Sequence, residues 1–312
     1  MISNFRDIVV IINDQKFFTN SVSIDSSASL SPVYEEGQRH SFKYIQNNAN
    51  INTVSFGYYL TGIDYLKTFL SKDDVIFSGK IANFSFNSGC LTDYSVKFEP
   101  NRPIEVSATL SVFDFFTGSI QNSPISQRII PLNASEAYIY NYTSGETPLG
   151  DLESATYDYK SEVLPIYYQE TGLYKSTIAP NRIFWGKKQI KMSILNDDPN
   201  QYLPVNGKTA SIRIDARGSD GDVKESFFIS GKVNRHSMSF QAGNPNLQTT
   251  EIIQNRIDSS PYITGFAPSI STAGQYVSLF GSNFSNITNI HIGEDEVINY
   301  SRNSESLITF QV

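Results

Sequence analysis

Apolar residues recur at every second position along much of this chain. Val54, Phe56, Tyr58 and Leu60 form one such run. Tyr94, Val96 and Phe98 form another, followed by Ile104, Val106, Ala108 and Leu110. Further on come Ile190, Met192 and Ile194, then Ala210, Ile212 and Ile214. A period of two sets one face of an extended strand against a core. Ser, Asn, Thr and Gly break every apolar run within a few residues, and helix-favouring Ala/Leu/Glu/Lys stretches are scarce. The pattern predicts an all-β protein. Val9-Val10-Ile11-Ile12 reads as a buried strand ending at an Asn13-Asp14 turn; it is far too short for a signal-peptide core or a membrane span. One helix is predicted, over Ile63 to Ser71, with Asp64 as its cap and Ile63, Leu66 and Leu70 on one face.

The chain also repeats itself. Pro32-Val33-Tyr34 returns as Pro165-Ile166-Tyr167, and Ser78-Gly79-Lys80-Ile81 returns as Ser230-Gly231-Lys232-Val233. Ser21, Ser23 and Asp25 precede the first mark as Ser154, Thr156 and Asp158 precede its copy. Each Ser-Gly-Lys mark is followed by a glycine, Gly89 and Gly243, and more β sequence. The longer spacing in the second copy fits an insertion near Asp197 to Gly207. Its Pro199 and Pro204 also argue against a second copy of the predicted helix. The expected organisation is a β-sandwich or barrel unit over 1–120, a tandem duplicate over 121–258, and a third segment over 259–312.

Composition narrows the function. Aromatic residues make up 13% of the 312 positions, mostly Tyr and Phe, which suit half-buried sheet faces and contact surfaces. The net charge is -7, without a charged tail or a basic stripe to neutralise phosphates, which disfavours tight nucleic-acid binding. Lys187, Lys188 and Lys191 are the one cationic cluster, and a solvated strand edge is the expected role. Cys90 is the single cysteine, so no intrachain disulfide can form.

Candidate chemistry is thin. His40, His236 and His291 show no metal-ligand spacing, and Cys90 has no Cys or His near it in sequence. There is no Gly-x-Ser-x-Gly elbow and no phosphate loop; the Ser-Gly-Lys marks lack the upstream glycine and precede β sequence. Asp215 to Asp222 could suggest calcium but reads more simply as a hairpin with an Asp220-Gly221 turn. Asp197-Asp198 is a weaker cation candidate, and no carboxylate pair marks glycosidase chemistry. The tyrosines of 138–142 and 157–174 suit a sugar platform, a subunit contact or a linker packed on the sheet. No catalytic, cofactor-binding or metal residue is expected, and the protein is read as a non-enzyme.

The last 54 residues carry a family mark. Pro261, Ile263, Phe266, Pro268, Gly274, Val277, Leu279, Gly281, Asn283 and Phe284, with a strand from Ile290 to Gly293, resemble the IPT/TIG immunoglobulin-like domains. The resemblance implies a sandwich plugged by Phe284, a hairpin tip at Gly293 to Glu296, a return strand Val297 to Tyr300, and a strand Leu307 to Phe310. It also implies further strands, expected either in a continuation beyond Val312, which is the favoured reading, or supplied from elsewhere. A duplicated β unit followed by such a domain resembles structural proteins of tailed bacteriophages. In duplicated tail-tube proteins, three chains close a pseudo-hexameric ring, stacked rings pass DNA, and the Ig-like domain decorates the outside. The resemblance thus implies a homo-oligomeric virion protein assembled in the host cytoplasm. Its partners would be its own copies, as a trimeric pseudo-hexamer or a hexameric ring, and other virion proteins. DNA would be a passing cargo, with no membrane involved. The alternative is a capsid decoration, neck or fibre-associated protein contacting host glycans.

Overall fold

The computed structural model describes residues 8–27, 30–33, 43–46, 51–70, 72, 75–81, 83–113, 116–118, 130–143, 147–149, 152–166, 182–196, 207–239, 247–254, 262–267, 272–282, 284, 287, 289–292, 295–297, 300–304 and 307–311. Regular structure among them is strand, apart from two 3-10 turns at Lys67–Phe69 and Ala134–Glu136. The protein is all-β.

The first half contains β1 (Ile8–Ile12), β2 (Gln15–Ser27), β3 (Leu30–Val33), β4 (Lys43–Gln46), β5 (Ile51–Tyr59), β6 (Phe77–Ile81), β7 (Phe84–Phe98) and β8 (Glu105–Val112). β1 pairs with β2 and β6, β2 with β5, β5 with β8, β8 with β7, and β7 with β6. Each of the six has two neighbours, so they close into a barrel, which leaves fewer strand edges exposed. β3 and β4 pair as a separate two-stranded hairpin.

The second half contains β9 (Tyr138–Asn141), β10 (Thr147–Pro148), β11 (Leu152–Ile166), β12 (Arg182–Asn196), β13 (Thr209–Arg217), β14 (Val223–Ser239) and β15 (Leu247–Gln254). They lie in the order β10-β9-β13-β14-β15-β12-β11. This is the order of the first barrel, with β9 in the place of β1. β10 and β11 together occupy the place of β2. Thr147 and Pro148 pair with β9, and the Leu149 N–H donates to the Ile139 carbonyl at 2.8 Å, much as Gln15 to Phe17 pair with β1.

Register makes the correspondence residue by residue. Ile24, Val54, Leu110 and Leu91 face one another across β2, β5, β8 and β7. Tyr157, Met192, Ile252 and Val233 do so across β11, β12, β15 and β14. Two irregularities repeat as well. The shift between Thr19 and Ser21 in β2 recurs between Leu152 and Ser154 in β11. The shift between Leu91 and Asp93 in β7 recurs between Val233 and Arg235 in β14. A bulge re-aims a strand and is kept where the fold depends on it, so matching bulges carry more weight than matching strand counts.

The register corrects one sequence expectation. Ser230-Gly231 on β14 corresponds to Ser88-Gly89 on β7, not to Ser78-Gly79 on β6. Gly89 faces Phe77 of β6, and Gly231 faces Ala210 of β13. Both sites are crowded: a Cβ on Gly231 would lie 2.2 Å from the Ile253 carbonyl oxygen, and one on Gly89 would lie 2.7 Å from the Phe86 ring. The Ser-Gly-Lys match was a short coincidence on a neighbouring strand. The Pro-x-Tyr marks fall on corresponding strand ends at Pro32 and Pro165, while Tyr34, Tyr167 and Gly243 lie outside the described residues.

The predicted helix is also corrected. Only a 3-10 turn forms, Ile63 is 81% exposed, and Leu66 and Leu70 are buried. Asp64 accepts the Leu66 N–H at 2.9 Å, but the same carboxylate is held by two strand tyrosines, so the segment is pinned as a loop.

The halves share one hydrophobic core, from Val10 to Ile252. Where they meet, β7 pairs with β11 over Asp93 to Phe98 and Ala155 to Lys160. Phe227 packs on Phe98 and Tyr157 with ring centres 5.5 and 5.4 Å away. Burying a side chain of this size contributes about 1.5–3 kcal/mol.

The C-terminal residues form β16 (Tyr262–Ala267), β17 (Tyr276–Ser282), β18 (His291–Ile292), β19 (Asp295–Glu296), β20 (Tyr300–Ser304) and β21 (Leu307–Gln311). Four make a sheet in the order β16-β17-β21-β20, and β18–β19 is a hairpin. Phe284, Ile290 and Ile308 are its buried cluster, and Gly274 turns into β17 at φ 89°. Of the expected return strand Val297 to Tyr300, Val297 donates its N–H to the Ile290 carbonyl at 2.8 Å and Tyr300 opens β20, while Ile298 and Asn299 lie outside the described residues. The expected tip residues Gly293 and Glu294 lie outside the described residues.

Candidate functional site

The densest buried polar cluster lies where the halves meet. Tyr58 of β5 and Tyr94 of β7 point inward because of the strand alternation, and their hydroxyls donate to the Asp64 carboxylate at 2.8–2.9 Å. The Asp64 N–H donates to Glu225 of β14 at 2.8 Å. Glu225 also accepts from Lys67 Nζ at 2.8 Å and from its neighbour's Ser226 N–H at 2.9 Å. The Lys67 ammonium sits 5.3 Å from the centre of the Phe227 ring. Lys188 of β12 adds a further link, donating its ammonium to the Lys72 carbonyl.

Burial raises the Asp64 carboxyl above its ordinary range, helped by the Glu225 charge and opposed by the hydroxyls and N–H it accepts. Burial, then the Asp64 charge, raises the Tyr58 and Tyr94 hydroxyls well above theirs, so they stay protonated as donors. Asp64 is 2% exposed and accepts from three donors, the Tyr58 hydroxyl being shared between its two oxygens. A cleft of about 220 Å³ lies beside it, lined by Phe17, Tyr58, Leu60, Ile63 and Tyr65 among others. The hydrogen bonds from Tyr58 and Tyr94 tie the Asp64 segment to β5 and β7.

A second cluster lies on β9 and β13. Arg213 pairs with Asp215 at 2.8 Å, both nearly buried, and stacks on Tyr140 and Tyr142 at 5.1 and 5.0 Å. Ser226 donates to Asp215 at 2.7 Å. Arg217 lies over Tyr138, which is half exposed. Tyr138 thus presents surface, whereas Tyr157 and Tyr159 of the same expected platform are core residues. Tyr167 to Tyr174 lie outside the described residues.

The remaining candidates are dispersed. The Asp220-Gly221 hairpin forms as expected, with Gly221 at φ 83°, and Lys224 bridges Asp220 and Asp222 at 2.5 and 3.7 Å. Asp197, Asp198 and His40 lie outside the described residues. His236 contacts Thr250 at 3.1 Å, and His291 lies on β18. Cys90 is buried, and burial pushes its thiol up to about 12. Among the described residues no three His, Cys, Asp or Glu side chains gather to hold a metal.

Of the lysine cluster only Lys187 is exposed, as a solvated position would be; the other two are not. Lys188 is buried with its ammonium 5.7 Å from the Trp185 ring, and Lys191 reaches Asp158 and Glu251 at 3.8 and 3.6 Å. The contact of the Asp64 N–H with Glu225 across 161 residues left no signal in the sequence around either residue.

No protein-family model matches this chain, and no curated protein matches it. Among the described residues no helix is long and apolar enough to cross a membrane.

Proposed function

We propose that this chain is a structural subunit of a tailed-bacteriophage virion, a tail-tube-like building block whose copies close a ring around a passage for DNA. The observation that carries the reading is the edge-to-edge joint. Two repeats with the same strand order are fused through β7 and β11 into one 13-stranded sheet. A unit that joins its own duplicate by strand pairing is built for lateral propagation, and three chains would supply six units. The -7 charge suits a passage through which DNA slides without being held. The C-terminal sheet would be an outward IPT/TIG-like domain, and assembly would take place in the host cytoplasm.

Negative-stain microscopy of the purified protein, with its mass in solution, tests this. Rings or tubes with a central hole are the expected result. A monodisperse monomer at high concentration overturns it and turns attention to the decoration reading. The half-exposed Tyr138 beside Arg217 favours that reading, since an aromatic face with a cation suits a sugar.

A further inference from the structure

Within the chain, β7 changes partner along its length. It leaves β6 at Gly89 and pairs with β11 from Asp93 onward. The repeat gives both strands a counterpart, β14 for β7 and β2 for β11. β14 pairs with β13 only as far as Lys232, so its edge from Arg235 to Ser239 on that side has no strand against it among the described residues. β2 pairs with β1 only to Thr19, so its edge from Val22 to Ser27 likewise has no strand against it among the described residues. Among the described residues, the two edges used inside the chain are therefore the two that their counterparts leave without a partner strand.

We propose that β2 of one copy pairs antiparallel with β14 of a second copy of this chain. The register copies the internal joint: Ser23 opposite Ser239, Ile24 opposite Met238, Asp25 opposite Ser237, and Ser26 opposite His236. The side chains support it. Inside the chain Tyr157 faces Val96, and both are buried; their counterparts Ile24 and Met238 are exposed apolar residues, 39% and 44%. Inside the chain the Ser95 hydroxyl donates to Asp158 at 2.5 Å; the counterparts are again a serine and an aspartate, Ser237 and Asp25. Ser23 to Ser26 are all exposed, whereas the matching stretch of β11 is buried or half-buried. Charge agrees too, with Asp25 on one edge and Arg235 on the other. An open edge flanked by apolar side chains otherwise invites non-specific pairing. The contact is head-to-tail, so it closes a ring where the rotation per copy permits and gives a filament where it does not. It names the lateral contact of the ring reading and rests on that reading only for closure.

Cysteine pairing tests it. Residues directly opposite in an antiparallel pair lie about 4.5–5.5 Å apart at Cα, within disulfide reach. The full chain carrying Asp25→Cys and Ser237→Cys is oxidised at assembly concentration. The expected result is a ladder of covalent multimers ending at a fixed closed size. Asp25→Cys with Ser239→Cys is the out-of-register control. Ser95→Cys with Asp158→Cys should bridge within one chain and leave the mass unchanged. Ile24→Lys alters an exposed side chain, so the fold is retained while self-association weakens about tenfold or more. Rings without cross-linking above the control, or wild-type association of Ile24→Lys, overturn this interface and leave the ring reading standing. In-register cross-linking into open chains supports the interface and sinks the ring. A monomer that never cross-links overturns both.

Discussion

Replacing Glu225 by alanine is the sharpest probe of how the halves are held together. The carboxylate accepts the Lys67 ammonium at 2.8 Å and the N–H groups of Asp64 and Ser226 at 2.8 and 2.9 Å. It is 7% exposed and Lys67 is 10% exposed, so water can replace little of this. Glu225→Ala leaves two N–H groups short of an acceptor, at about 1–3 kcal/mol each. It also leaves the Lys67 charge without its carboxylate; breaking a buried pair from one side costs about 3–5 kcal/mol in total. Lys67→Met should cost less, because Glu225 keeps both N–H donors and the methionine keeps its packing on Phe227. The double variant should fall short of the summed costs by about 1 kcal/mol or more. Urea unfolding reads all three. With a slope of about 3 kcal/mol/M, Glu225→Ala moves the midpoint down by about 1 M or more. A loss below about 1 kcal/mol, or strict additivity in the cycle, would refute the claim that this pair joins the halves.

Three further outcomes follow from the same geometry. Burial raises the folded-state pKa of Asp64 above its ordinary 3.8, so its contribution to stability is complete below that pH and is lost as pH rises through the folded value. The stability of wild type relative to Asp64→Asn should therefore fall as pH rises above the ordinary carboxyl value of about 4; a difference that grows with pH would contradict the sign. Cys90, buried and pushed up to about 12, should resist a thiol reagent at about pH 8 in the folded protein and react fully in denaturant; rapid labelling of native protein would show the barrel open at β7. Gly231→Ala should destabilise by about 1–3 kcal/mol, because its methyl meets the Ile253 carbonyl, whereas Gly62→Ala meets nothing within 4 Å and should be nearly neutral. Equal denaturation midpoints for the two would argue against the close approach of β14 and β15.

Much of the architecture is legible in side-chain periodicity. Val54, Phe56 and Tyr58 point inward, as do Ile190, Met192 and Ile194, because a strand sends alternate residues to opposite faces whatever surrounds it. The turn at Asn13-Asp14 and the hairpin at Asp220-Gly221 follow from residues that tolerate positive φ, at 45° and 67° in the first and 83° at Gly221. Phe284 is fully buried, as its expected role required. In place of the helix expected over Ile63 to Ser71, a 3-10 turn forms at Lys67–Phe69, and the Asp64 carboxylate accepts the Leu66 N–H together with the Tyr58 and Tyr94 hydroxyls.

The sequence by itself determined that the chain is built of strands and says one thing twice, since alternation and short turns are local properties. Tertiary structure decided which residues correspond. A three-residue match placed the Ser-Gly mark on β6, while two shared bulges and the cross-strand rows place it on β7. Only the closed fold could bring Asp64 to Glu225, bury Lys188 against Trp185, and leave β2 and β14 with edges that no described strand covers. Strand pairing joins residues far apart in the chain, and a shift of one residue exchanges the two faces of a strand. Which face is buried and which edge is open are therefore properties of the assembled sheet.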